Sequence, residues 1–250
     1  MDPSLWLRTA AAIILLAAIA FTGLRLFRIA APWEAALAIG RAALQLAALS
    51  IVLAGLIQDL RWVAAGLVIM LVAAILTAWR RGREHAARLG PLAAAITAGP
   101  VVAMLVVFGT GAVELTPQYL LAVGGIVIGN AMTMAILVQR MLHTSIDDHW
   151  PEVEGWLALG ATPRQSVAPL ARAAVRTAML PSIDQTRTTG IVVLPGAFVG
   201  AVFAGLSPVE AGRFQLIVLA SILAAGVVTT TILAFAPQRA TADRTAPTAS

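Results

Sequence analysis

Four residues near the middle of the chain carry metal-ligating side chains close together: His143, Asp147, Asp148 and His149. Imidazole and carboxylate at this spacing can hold a divalent cation. The same residues serve as readily as a solvated hinge. A second set is polar and sits inside apolar runs. Gln45 and Asn130 fall midway along two of them, Arg41 one turn before Gln45 and Thr133 one turn after Asn130, and Pro195-Gly196 interrupts a third. A polar side chain in hydrocarbon needs a partner or a water-filled cavity, and a broken helix frees carbonyls that can line one. These six residues are candidates for a translocation path. Alternatives stand beside that reading. Asn130 and Gln45 can hydrogen-bond neighbouring helices, Gly125-x-x-x-Gly129 suits close helix packing, and Pro195-Gly196 can be a packing kink. Met132 and Met134 read as core.

Other chemistries are excluded by what the sequence lacks. It has no cysteine, which removes disulfides, thiolate metal sites and iron–sulfur clusters. All 17 basic residues are arginine. A P-loop needs its Lys to reach the β/γ-phosphates, so work driven by ATP requires a separate ATPase. No His, Cys or acid pair occurs at matching depth in two runs, which argues against an intramembrane enzyme.

The elements that must position these residues are membrane helices. The chain is 60% apolar and 12% charged, against about a quarter charged for a soluble domain, and its mean hydropathy is +0.89. Apolar runs long enough for roughly 20-residue spans fall at 5–24, 36–57, 62–79, 92–110, 118–138, 188–206 and 214–235. The fold class expected is all-α, a polytopic membrane protein of seven spans forming a single transmembrane domain over 1–236. Arginines cluster after alternate runs: Arg25 and Arg28; Arg80, Arg81, Arg83 and Arg88; Arg140, Arg164, Arg172, Arg176 and Arg187; then Arg239 and Arg244. The opposite loops hold only Asp59 and Arg61, Glu114, and Glu210 and Arg213. Positive-inside counting puts the amino terminus outside and the carboxyl terminus in the cytoplasm. Topology accounts for the net charge of +5 without nucleic acid. The first run reads as a retained span, with a signal peptide ending near Ala18-x-Ala20 as the alternative. The tail 237–250 has no apolar face and reads as disordered.

The longest connection, 139–187, is too long to be structureless. Trp150-Pro151-Glu152-Val153-Glu154 reads as a helix start, with Pro and acids in the first turn. Gly160 ends that helix. Thr162-Pro163 starts another, Thr as N-cap and Pro at N1, reaching about Leu180 and carrying Arg164, Arg172 and Arg176. The segment is either an interfacial helix shielding the bundle or a docking element seated in a groove of a soluble partner.

Several runs decide how that segment is interpreted. Ile128-Gly129-Asn130-Ala131-Met132-Thr133, Leu157-Ala158-Leu159-Gly160-Ala161-Thr162-Pro163-Arg164-Gln165, Val193-Leu194-Pro195-Gly196, Ala204-Gly205-Leu206-Ser207-Pro208-Val209-Glu210-Ala211 and Arg213-Phe214-Gln215 occur in this order. With them the chain resembles the bacterial iron-export ABC permease family (Fet type), to which the plant aluminium-sensitivity permease is also similar. The resemblance runs from about Arg41 to the last span. It implies a membrane subunit in the bacterial inner (plasma) membrane, paired as a homodimer with two copies of a separate ATP-binding cassette protein that uses ATP and Mg²⁺. This chain itself would bind no cofactor and catalyse no reaction. The resemblance makes 139–187 a coupling segment, with Glu152, Glu154, Gly160, Ala161, Thr162, Pro163 and Arg164 at the cassette. Gly155-Trp156 departs from the usual Ala-Ala of such loops, and their closing Leu-Pro is absent. The iron assignment rests on the family alone, since no carboxylate lies within an apolar run and a chelated or organic solute fits a Gln/Asn/Thr-lined path equally. A cassette-independent channel or secondary transporter is the alternative; intramembrane acids or paired inverted halves would mark it.

Overall fold

The structure, a computed structural model, describes residues 3–29, 31–56, 59–82 and 88–236. Among these residues the fold is all-α, and the extended pairing is a single bridge between Thr189 and Val193. The chain divides into two compact units, 1–58 and 59–250.

The first unit is a helical pair, α1 (Pro3–Leu26) and α2 (Trp33–Leu56). The chain reverses between them through Arg28 and Ala31, both with positive φ. The rings of Phe21 and Trp33 pack across the turn with centroids 4.6 Å apart.

The second unit holds α3 (Leu60–Gly82), α4 (Leu89–Gly109), α5 (Pro117–Asp148), α6 (Trp150–Ala158), α7 (Pro163–Thr188), α8 (Gly196–Phe203) and α9 (Pro208–Ala234). Its main contacts are α4 and α5 with α9, and α3 with α5. Small residues bring these helices together, as expected where lipid supplies no hydrophobic drive between them. At Gly99 of α4 a Cβ would overlap Thr229 Oγ1 and the Ala225 carbonyl of α9. The Thr229 hydroxyl donates to the Ala95 carbonyl at 3.1 Å, tying α9 to α4. Gly124 of α5 faces Leu67 of α3 in the same way.

Five helices among the described residues are long and apolar enough to cross a membrane: α1 from Ser4, α3, α4, α5 and α9. The chain is an all-α polytopic membrane protein. The second expected run is also one helix, α2, in which Glu34, Arg41 and Gln45 punctuate the apolar sequence.

Two departures from the sequence expectation matter for function. The run 188–206 is not one continuous span. Gly190, at φ +87°, turns the chain after α7, and α8 begins only beyond Pro195 and is 8 residues long. The connection 139–187, expected as helix–turn–helix, carries more helix than that at both ends, since α5 runs on to Asp148 and α7 beyond Leu180. α5 has 32 residues, about 48 Å at ~1.5 Å per residue, and exceeds a hydrocarbon core of about 30 Å. α7 runs to Thr188, past Pro169 and Pro181, and packs back against α5 and α9. Arg83 and His85, and the tail 237–250 with Arg239 and Arg244, lie outside the described residues.

Candidate functional site

The turn from α6 to α7 is held by local sequence. Pro151 occupies the first turn of α6 and Glu152 lies near its positive end. One side chain anchors the helix: Val153 is 1% exposed and belongs to the same core as Leu142 and Ile146 of α5 and Val167 of α7. Gly160 then takes φ +88°. Its N–H donates to the Leu157 carbonyl, and the Ala161 N–H donates to that of Trp156, each at 3.0 Å. This pair of bonds is a Schellman C-cap and satisfies carbonyls that would otherwise be orphaned.

Two residues later Thr162 caps α7. The Gln165 N–H donates to Thr162 Oγ1 at 3.3 Å, and the Thr162 N–H donates to Gln165 Oε1 at 2.8 Å. The reciprocal pair is a capping box, followed by Pro163 at the first helical position. Arg164 sets its guanidinium over the Phe235 ring, 5.4 Å from the centroid, at the end of α9. The result is a stiff knuckle. On it Glu152, Glu154, Gly160, Thr162 and Pro163 are exposed, Ala161 is partly buried, Trp156 is 50% exposed and Leu159 84% exposed.

The residues expected to line a path are only partly gathered. Asn130 and Thr133 lie one turn apart on α5. The Asn130 amide donates to the Ile126 carbonyl at 2.9 Å, and the Thr133 hydroxyl to that of Gly129 at 3.1 Å. Both bonds stay within α5 and leave Thr133 on an exposed face. A Cβ at Gly129 would meet nothing, so that face is open, whereas Gly125 faces Met70 of α3. Arg41 and Gln45 are exposed on α2 of the first unit. Pro195 is the N-cap of α8 and Gly196 its first residue, which places the pair at a helix start. Met134 is core, against Gly226 and Met179.

The four metal-ligating candidates do not converge. His143 Nδ1 and Asp147 Oδ2 pair at 2.9 Å along α5, while His149 Nδ1 meets the Ser145 carbonyl at 3.0 Å. No group of three or more His, Cys, Asp or Glu able to hold a metal ion occurs among the described residues.

Sequence reasoning missed two features. Arg172 and Arg176 lie on an exposed face of α7 as expected, but the opposite face of that helix packs on two spans, α5 and α9. Gln215 is 6% exposed in α9, with Oε1 lacking a hydrogen-bond partner among the described residues.

With this geometry in place, comparison with known proteins is decisive at the level of family. Residues 6–241 match the uncharacterised protein family UPF0014. The chain belongs to that family. The rice UPF0014 membrane protein STAR2 is 35% identical over 194 residues, which are 76% of this chain and 68% of the relative. Protein ALUMINUM SENSITIVE 3 of Arabidopsis thaliana is 30% identical over 192 residues, 76% of this chain and 70% of that protein. The probable iron export permease protein FetB of Escherichia coli is 33% identical over 145 residues, 58% of this chain and 56% of FetB. No solved structure matches the chain.

Proposed function

We propose that this UPF0014 chain is the membrane-spanning permease of an ABC exporter. Two copies form the membrane part, and two copies of a separate ATP-binding cassette subunit, using ATP and Mg²⁺, power it. The observation that carries this reading is the knuckle between α6 and α7. A partner that moves on ATP hydrolysis needs a contact that transmits displacement without bending. The Schellman turn and the capping box give the knuckle that stiffness, while Trp156 and Leu159 offer exposed apolar anchors beside Glu152 and Glu154. An aromatic and an aliphatic anchor on a short helix suit a groove in a soluble partner. The missing Lys agrees, since the chain has no P-loop of its own.

The arginine distribution supports an orientation with the knuckle and the carboxyl terminus in the cytoplasm and the amino terminus outside. Bacterial relatives support placement in the inner membrane. The cargo, iron or a related metal or its complex, is supported by the printed name of FetB. Asn130 and Thr133, with the Pro195-Gly196 start of α8, are the residues we assign to its path.

The test is capture of the host's cassette ATPases by the detergent-solubilised chain, repeated with Glu154→Arg and Gly160→Trp. Capture of one cassette by the wild type, lost in both variants at unchanged yield and helix content, supports the reading. No capture, or capture indifferent to both substitutions, overturns it in favour of a cassette-independent channel or secondary transporter.

A further inference from the structure

α7 is more polar than a helix packed against membrane spans should be. Ala171, Ala174, Ala178 and Met179 are buried in the cores that also hold Ala135 and Val138 of α5 and Ile222, Ala225 and Leu233 of α9. Two contacts set the depth. Arg164 meets Phe235 at the end of α9, and Met179 Sδ comes within 3.1 Å of a Cβ built at Gly226. Gly226 lies nine residues earlier, about 13 Å along the α9 axis. Arg172 and Arg176 fall between these contacts, so they stand beside the last turns of a span.

Their side chains point away from that packing. Both are exposed, and neither forms an ion pair among the described residues. With Ala173, Thr177 and Leu180 they line an open recess of about 490 Å³. An exposed guanidinium packed beside a span presents several N–H donors that water or an anion must accept. Two of them one turn apart, with a threonine hydroxyl alongside, present a set of donors that no carboxylate pairs with among the described residues. Arginine forks match carboxylate and phosphate oxygens two at a time, in a fixed plane.

We propose that Arg172, Arg176 and Thr177 form an oxyanion-binding station on the open face of α7, taking a phosphate or carboxylate group. The group is supplied either by a soluble solute or by an anionic lipid headgroup. The station rests on the packing of α7 and stands apart from the permease reading, because cassette capture and anion binding are measured separately.

The experiment uses the full chain in nanodiscs. In phosphatidylcholine discs, inorganic phosphate and citrate are titrated calorimetrically. In discs containing phosphatidylglycerol, retained lipid is counted by native mass spectrometry. The variants are Arg172→Gln/Arg176→Gln, Thr177→Val, and Arg140→Gln as a control on an exposed face of α5. Because the substituted α7 side chains are exposed, helix content and elution should match wild type. The expected result is binding of one probe class, weakened at least tenfold in the double arginine variant, weakened less by Thr177→Val, and unchanged by Arg140→Gln. Phosphate or citrate binding identifies a soluble source, and phosphatidylglycerol retention alone identifies a headgroup. The proposal is overturned if the wild type binds neither class, or if the double arginine variant binds as wild type does.

Discussion

Arg164 stands over the ring of Phe235, 5.4 Å from its centroid, and so clasps the first turn of α7 to the C-cap residue just beyond α9. The contact joins the knuckle to a membrane span, in addition to the packing of Val153 and α7 on the same bundle. A cation over an aromatic face at an exposed site contributes about 0.5–1 kcal/mol. Arg164→Ala should lower unfolding stability in detergent by that amount, and Phe235→Leu by a similar amount. The double variant should lose less than the two together, as for any pair in direct contact. Strict additivity would show that the two side chains do not interact.

Gly160 and Gly155 should respond to alanine with opposite signs. Neither would place a Cβ within 4 Å of another atom, so space is not the issue. Gly155 lies within α6 and Gly160 has φ +88°. Alanine in a helix interior gains about 0.5–1 kcal/mol over glycine, whereas a left-handed alanine loses about 1–2 kcal/mol. Thermal unfolding of Gly155→Ala and Gly160→Ala should therefore shift up and down respectively. A Gly160→Ala protein as stable as wild type would mean that the turn can close without the left-handed residue.

The capping box makes a related prediction. Thr162→Val removes the acceptor for the Gln165 N–H, and Gln165→Leu removes the acceptor for the Thr162 N–H. Each should cost about 1 kcal/mol. The more telling readout is hydrogen exchange at residues 159–166, which should speed up in both variants while exchange in α4 and α9 stays constant. Uniform acceleration would indicate that the cap supports the whole bundle and not the knuckle alone.

The parts of this architecture that sequence made legible were those fixed by short-range chemistry. Pro151 and Glu152 mark the start of α6, Gly160 its end, and Thr162-Pro163 the cap of α7, because each acts through its own backbone. Most spans were legible for a different reason: length and hydropathy suffice. What escaped were long-range choices. Ala171, Ala174 and Ala178 pack against spans, but among Arg172, Arg176 and Asp184 their apolar stripe is too thin to stand out in a window average. The run 188–206 is apolar enough to suggest a span, yet one left-handed residue, Gly190, and Pro195 divide it. Asn130 was legible as a polar group needing a partner. The structure gives it one within its own helix, the Ile126 carbonyl one turn back.

The α4–α9 contact yields the largest effect expected. A Cβ on Gly99 would strike Thr229 Oγ1 and the Ala225 carbonyl, so Gly99→Ala must push the helices apart and rotate Thr229. Rotation breaks the bond from Thr229 to the Ala95 carbonyl, worth about 1 kcal/mol net, and the added volume costs about 1–3 kcal/mol more. Gly66 of α3, whose Cβ would meet nothing, serves as control; Gly66→Ala should be neutral or stabilising. The second obstacle allows a sharper test. Adding Thr229→Ala to Gly99→Ala removes the hydroxyl but leaves the Ala225 carbonyl, which belongs to the backbone and cannot turn aside. The double variant should therefore recover only part of the lost stability, measured as the thermal midpoint in detergent. Full recovery would show that the side chain alone sets the α4–α9 distance, and that the α9 backbone approaches less closely than the structure has it.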